Sequence, residues 1–204
     1  EKITMKQFTL FLTLCIFNFT LLIAQEYTTD ANTVLLLHMN ETSGSTVSDA
    51  SGNANHGTAT GTTIVDGKFG KAKQFSNTPD IISIPNSPSL NLTNAITLEA
   101  WVYLTSNVSM PIIEYNNGNN YGVHFWMLEW PNPIELYVNF VDISGIDHYM
   151  WSPANIVPLN SWSHVATSYD KTSGVAKIFL NGQQVAIQNL GSFDIQTSYS
   201  LNFG

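Results

Sequence analysis

Arginine is absent from this 204-residue chain, and seven lysines stand against 15 acids for a net charge of −8. Without guanidinium forks there is nothing to grip phosphate or carboxylate bidentately, so a nucleic-acid reader is excluded. The acidic balance also sets the chain against an anionic bilayer. The one cysteine, Cys15, has no partner within the chain, so a disulfide scaffold is excluded. Heptads are missing and only 13 glycines occur, which removes coiled coil and collagen. From Thr33 onward no helix-period stretch appears. Long apolar runs are confined to one place near the N-terminus. What remains is 44% hydrophobic with 11 Phe, eight Tyr and five Trp, enough apolar and ring surface to bury a core. The length fits one large all-β domain or two small ones.

The single apolar run is residues 8–24 (FTLFLTLCIFNFTLLIA), preceded by Met5-Lys6 and followed by Gln25 and an acidic, polar segment. A basic start, an apolar stretch and a small residue at Ala24 read as a cleaved signal peptide over 1–24. The four residues ahead of Met5 read as upstream sequence. An uncleaved anchor is the rival, disfavoured by the short span and by Asn18 within it. Cys15 lies mid-run behind Leu14, which does not fit a lipoprotein signal. Cleavage leaves a cysteine-free chain with 14 acids and five lysines, net −9. It is expected to be secreted or held at the cell surface of a bacterium, with no membrane contact once the leader is gone and no covalent staple. The Asn40, Asn91 and Asn107 sequons matter only in a eukaryotic host.

Residues 25–32 read as a short linker and 33–204 as one domain. Alternating apolar and polar positions mark strands, clearest in 96–104, where Ile96, Leu98, Ala100, Val102 and Leu104 share one face. Further strands are expected over 34–39, 71–75, 80–84, 111–115, 121–128, 135–141, 147–151 and 162–169. Asn181-Gly182, between alternating runs at 177–180 and 183–187, predicts a type I′ hairpin, because both residues tolerate positive φ. About a dozen short strands with Gly, Asn, Asp and Pro turns imply a two-sheet antiparallel sandwich. The ordered pieces HMNETSG (38–44), DASGNANHGTATG (49–61), GKFGKAKQF (67–75), IPNSPSLNLTNAITLEAWVY (84–103), WSHVATSYD (162–170) and IFLNGQQV (178–185) resemble the laminin-G-like, concanavalin A-like jelly roll of bacterial secreted and surface proteins. The resemblance implies an all-β jelly-roll fold. It also implies an acidic closing strand beyond Leu201-Asn202-Phe203-Gly204, so the domain is expected to be C-terminally truncated with an exposed edge.

Some jelly rolls of this kind hydrolyse glycans, which takes two carboxyls about 5–5.5 Å apart in the retaining case. No Glu-x-Asp-x-Glu cluster supplies them, and Glu99 stands alone in its strand. The five histidines have no metal-helix spacing, no Gly-x-Ser-x-Gly elbow exists, and His164 reads as structural. The chain is therefore expected to be non-catalytic. The loop 49–57 (DASGNANHG) is rich in oxygen donors of the hard kind that calcium prefers. The resemblance adds Asn40, standing where relatives carry Asp. A structural calcium ion on Asn40, Asp49, Asn53 and Asn55 is one reading; an ion-free loop of Asx turns is the other.

Strand parity leaves Glu99, Trp101 and Tyr103 on an outer face, and likewise Glu135, Tyr137 and Asn139. In 121–130 both parities are apolar, and Tyr149 and Trp151 add two rings. Sugars offer apolar C–H faces ringed by hydroxyls, so flat aromatics beside amides and carboxylates suit them. The candidate carbohydrate-binding set is Glu99, Trp101, Tyr103, Trp126, Tyr137, Asn139, Tyr149 and Trp151. The expected partner is a polysaccharide or other glycan. The alternatives are an adhesion or spacer module that meets extracellular protein, and, less favoured, a glycan hydrolase or lyase. Trp101 and Trp162 recur in the family pattern, where packing is an equal account of them.

Overall fold

The computed structural model describes residues 26–76, 79–128 and 134–204. The expected leader over 1–24, Gln25, and the turn holding Glu129 and Trp130 lie outside them. The strands in chain order are β1 (Thr46–Val47), β2 (Gly57–Thr60), β3 (Thr63–Asp66), β4 (Lys71–Gln74), β5 (Ile81–Ile84), β6 (Ala95–Tyr103), β7 (Met110–Asn116), β8 (Tyr121–Leu128), β9 (Glu135–Asn139), β10 (Tyr149–Trp151), β11 (Trp162–Asp170), β12 (Val175–Leu180), β13 (Gln183–Asn189) and β14 (Ser200–Phe203). A 3-10 turn, Pro88–Leu90, precedes β6. Among the described residues no helix is long and apolar enough to cross a membrane.

One sheet has eight strands in the order β1-β2-β5-β14-β7-β8-β9-β10; the other has four, β13-β12-β11-β6. Every pairing in them is antiparallel. Alternation decides what lies between the sheets. Ile96 and Leu98 of β6, Val123, Phe125 and Met127 of β8, Leu136 and Val138 of β9, and Val165 and Ile178 of β11 and β12 are all buried in one core. The face of β6 expected from parity is the one found: Ile96 and Leu98 turn inward while Glu99, Trp101 and Tyr103 are exposed. Parity also resolves the doubly apolar strand β8, whose Val123, Phe125 and Met127 have no solvent exposure. Its opposite face carries His124 and Trp126. The Asn181-Gly182 hairpin forms between β12 and β13, with φ of 49° and 78°.

Two local expectations are corrected. The strand anticipated over 34–39 reduces to one bridge, Leu37 to Asp49, because the Leu36 N–H donates to the Asp49 carboxylate and Met39 turns at φ 57°. The stretch 57–66, where no strand is expected from the alternation, contains β2 and β3. Strand β3 pairs with β4 as a separate hairpin, and its turn carries Lys68 and Phe69 onto Trp101 at 4.8 and 5.9 Å.

Candidate functional site

Register brings one residue from each of six adjacent strands into a transverse row on the outer face of the larger sheet. Ser83 pairs with Asn202, Asn202 with Glu114, Glu114 with His124, His124 with Asn139 and Asn139 with Tyr149. All six are polar. The next row toward the chain reversal is aromatic, Trp126 opposite Tyr137 and Tyr137 opposite Trp151. Tyr121 joins it through a bulge between Glu114 and Asn116, which adds a residue to one side of the β7–β8 ladder and turns its ring out with His124.

The result is a continuous ring chain. Tyr121 lies 5.5 Å from His124 and 5.8 Å from Trp126; His124 lies 5.7 Å from Tyr137; Tyr137 lies 5.6 Å from Trp151, which is 4.9 Å from Tyr149. Tyr121, Tyr149 and Trp151 keep 41–48% of their surface in solvent. Beside them opens a cavity of about 470 Å³, lined by Tyr121, His124, Tyr137, Asn139, Asp142, Asp147, Gln196 and Tyr199 among others.

Polar groups hold this face in one geometry. The buried Glu114 carboxylate accepts from the Trp126 indole N–H and from the Asn116 amide, both at 2.9 Å, so it fixes the plane of the tryptophan. Asn139 is buried and both its amide nitrogen and its amide oxygen are engaged. It donates to Asp147 Oδ1 at 2.8 Å and accepts from the His148 N–H at 2.9 Å, so it positions Asp147. His124 Nδ1 lies 2.8 Å from the Gly122 carbonyl, which can only accept; Nδ1 therefore carries the proton and Nε2 a lone pair. Burial pushes the imidazole pKa down, outweighing the Gly122 carbonyl and the Glu114 and Asp147 charges, so the ring is neutral at pH 7. Burial, with the Asp147 charge adding to it, pushes the Tyr137 hydroxyl up to about 12, leaving it a donor.

Of the eight sequence candidates, five are thus gathered: Trp126, Tyr137, Asn139, Tyr149 and Trp151. The other three, Glu99, Trp101 and Tyr103, lie on the outer face of the four-stranded sheet. There Glu99 faces His164 Nε2 at 3.4 Å, and Tyr103 packs on Trp162 at 5.5 Å. The outer-face set is two groups on two sheets, because parity fixes a residue's side of its own sheet and not which sheet that is. Tyr121, Glu114, His124 and Asp147 were missed. Glu114 left a signal, an acid inside the apolar run Ile112-Ile113-Glu114-Tyr115.

The proposed calcium ligands do not form one oxygen cage. Both Asp49 oxygens are occupied, Oδ1 by the Leu36 and Ser51 N–H groups at 3.0 and 2.8 Å, Oδ2 by the Ser51 hydroxyl and the Asn55 N–H at 2.7 and 2.9 Å. Asn53 and Asn55 turn their amide nitrogens onto the Val34 carbonyl. Asn40 stands elsewhere, accepting from the Lys71 N–H and donating to Glu26. Among the described residues no three His, Cys, Asp or Glu side chains are grouped to hold a metal. Donor hydrogens aimed at the carboxylate do the work a cation would do, and the residues do not fit the ion. Thermal melts in calcium and in EDTA are expected to coincide; a Tm raised by calcium in proportion to its concentration would overturn this account.

Residues 76–204 match the family described as the concanavalin A-like lectin/glucanases superfamily. No curated protein matches the chain. Among solved structures it is similar to domain 4 of AbnA, an extracellular arabinanase of Geobacillus stearothermophilus, in complex with arabinotriose, at 21% identity, TM-score 0.55 and 77% coverage of each chain. It is also similar to the binding domain of botulinum neurotoxin serotype D, at 16% identity, TM-score 0.59, covering 83% of this chain and 42% of that one. The binding domain of botulinum neurotoxin DC in complex with SialylT aligns at 14% identity, TM-score 0.61, covering 85% and 43%. The chain spans less than half the length of these toxin domains.

Proposed function

We propose, for a chain that belongs to the concanavalin A-like lectin/glucanases superfamily, that it is an extracellular, non-catalytic carbohydrate-binding module. The ligand lies along the ring chain from Tyr121 through Trp126 and Tyr137 to Trp151. The observation that carries this reading is the continuity of that chain, with three exposed rings beside a 470 Å³ cavity. Rings offer flat apolar area to sugar C–H faces, while the His124 lone pair, the Tyr137 hydroxyl and the Asp147 carboxylate meet hydroxyls. The arabinotriose complex named above supports a glycan as the ligand class. The description of AbnA as extracellular supports the location, as does the leader-like run at 8–24.

Affinity electrophoresis through gels holding different polysaccharides tests this. Retention is expected in at least one. Trp151→Ala and Tyr137→Ala should each weaken it about ten- to a hundredfold, the usual effect of removing a central aromatic anchor. Trp101→Ala, on the other sheet, should leave it unchanged. Retention by no polysaccharide would favour the spacer reading, and release of reducing sugar would favour a hydrolase.

A further inference from the structure

The charge around the cavity narrows the ligand class, on the premise that the ring chain is a glycan site. None of the lysines among the described residues lines the cavity, and the sequence has no arginine. Lys171, which stands on the other sheet's turn, is tied to Asp194 at 2.6 Å. Of the two carboxylates in the lining, Asp142 is engaged within its own loop, accepting from the Ser144 and Ile146 N–H groups and facing His148 Nε2 at 3.2 Å. Asp147 is different: it is exposed, and a single neutral amide, Asn139, holds its Oδ1 in place. His124 is only 8% exposed and lines the same cavity, and among the described residues its Nε2 has no hydrogen-bond partner. A lone pair open to the cavity and a carboxylate held by one neutral amide, in the same lining as the Tyr137 ring, make a site for a donor-rich cation.

We propose that this cavity takes a glycan bearing protonated amino sugars, its ammonium group seated on Asp147 with His124 Nε2 accepting a second N–H or a hydroxyl. Sialylated, sulfated and uronate glycans would set like charge against Asp147 with no cation to answer it, and are rejected.

Calorimetric titration with chitotetraose and with its fully N-acetylated counterpart at mildly acidic pH tests the proposal. The two ligands share length, linkage and ring faces and differ in charge. The deacetylated ligand should bind about tenfold more tightly, with the gap narrowing as salt rises. Asp147→Asn, which retains an acceptor for Asn139, should bring the deacetylated ligand down to the affinity of the acetylated one. Equal affinities, or a gap that survives Asp147→Asn, would overturn the amino-sugar assignment. So would binding of neither chito-oligomer by a protein that another, neutral polysaccharide retains through Tyr137 and Trp151; that outcome leaves the carbohydrate-binding reading standing. Retention by no glycan at all removes both.

Discussion

Gly122→Ala is expected to cost the domain about 2–4 kcal/mol and to weaken glycan binding in the same molecule. A Cβ at this position would sit 2.2 Å from the Gln196 carbonyl oxygen and 3.1 Å from the Tyr115 Cβ. The first of these is backbone, and it is held there by the Val123 N–H at 3.0 Å, so neither partner moves cheaply. Overpacking of this kind costs about 1–3 kcal/mol, and a strained or lost hydrogen bond about 1 more. The effect on the site follows from the same contact. Gly122 supplies the carbonyl that fixes the His124 tautomer, and Gln196 lines the cavity. Displacing the two apart loosens the imidazole and opens the wall together. Urea titration should show a lower midpoint at an unchanged slope, and the same preparation should be retained less in a polysaccharide gel. Gly182, in the β12–β13 hairpin of the other sheet, makes a useful contrast: it has open space around it but φ of 78°, so alanine there should cost only about 1–2 kcal/mol of backbone strain and leave the cavity alone.

Much of the sandwich was legible because its information is local. The alternation in 96–104 named the buried face of β6 correctly, and Asn181-Gly182 named a hairpin, since both signals depend on neighbours within one strand or turn. The site was legible only in part, since it depends on which strands lie side by side. Tyr137 and Trp151 are 14 positions apart in sequence, and Glu114 and Asn202 are farther still, yet register makes each pair direct neighbours. Nothing in the spacing of the residues states that register. Trp101 had the same local credentials as Tyr137, an aromatic on the outward parity of a strand, and the sheet order separated them. Asn139 shows the opposite error. Its type and parity suited a sugar hydroxyl, but a neighbouring Asp147 engages the amide first. The loop 49–57 shows a third. Its oxygen-rich composition suits calcium as well as it suits an Asx-turn network, and composition does not record which way amide hydrogens point.

That network makes Asp49 the acid whose loss should be felt most in the fold. Its side chain, only 9% exposed, accepts four hydrogen bonds that tie 34–37 to the loop at 49–55. Asp49→Ala leaves three backbone N–H groups and a hydroxyl without their acceptor. Each orphaned donor costs about 1–3 kcal/mol, reduced where water reaches it, so a total loss of about 3–4 kcal/mol is expected at neutral pH. Asp49→Asn keeps one acceptor oxygen but aims an amide at donors, and should lose about half as much. The pH dependence distinguishes a charged acceptor from a merely well-packed one. Burial alone would push the carboxyl up, but the N–H donors of Leu36, Ser51 and Asn55 and the Ser51 hydroxyl outweigh it, so the folded pKa lies below the ordinary value. A depressed folded pKa means stability that is fully present above the unfolded value, about 3.9, and lost as pH falls through the folded one. The difference in unfolding free energy between the parent and Asp49→Ala should therefore stay constant from neutral pH down to about 4, then shrink as acid protonates the parent's carboxylate. Because the other lowered carboxyls, Asp142 and Asp170 among them, are common to both proteins, they cancel in the difference. A gap that held its neutral-pH size through strong acid would mean that Asp49 acts by shape and not by charge.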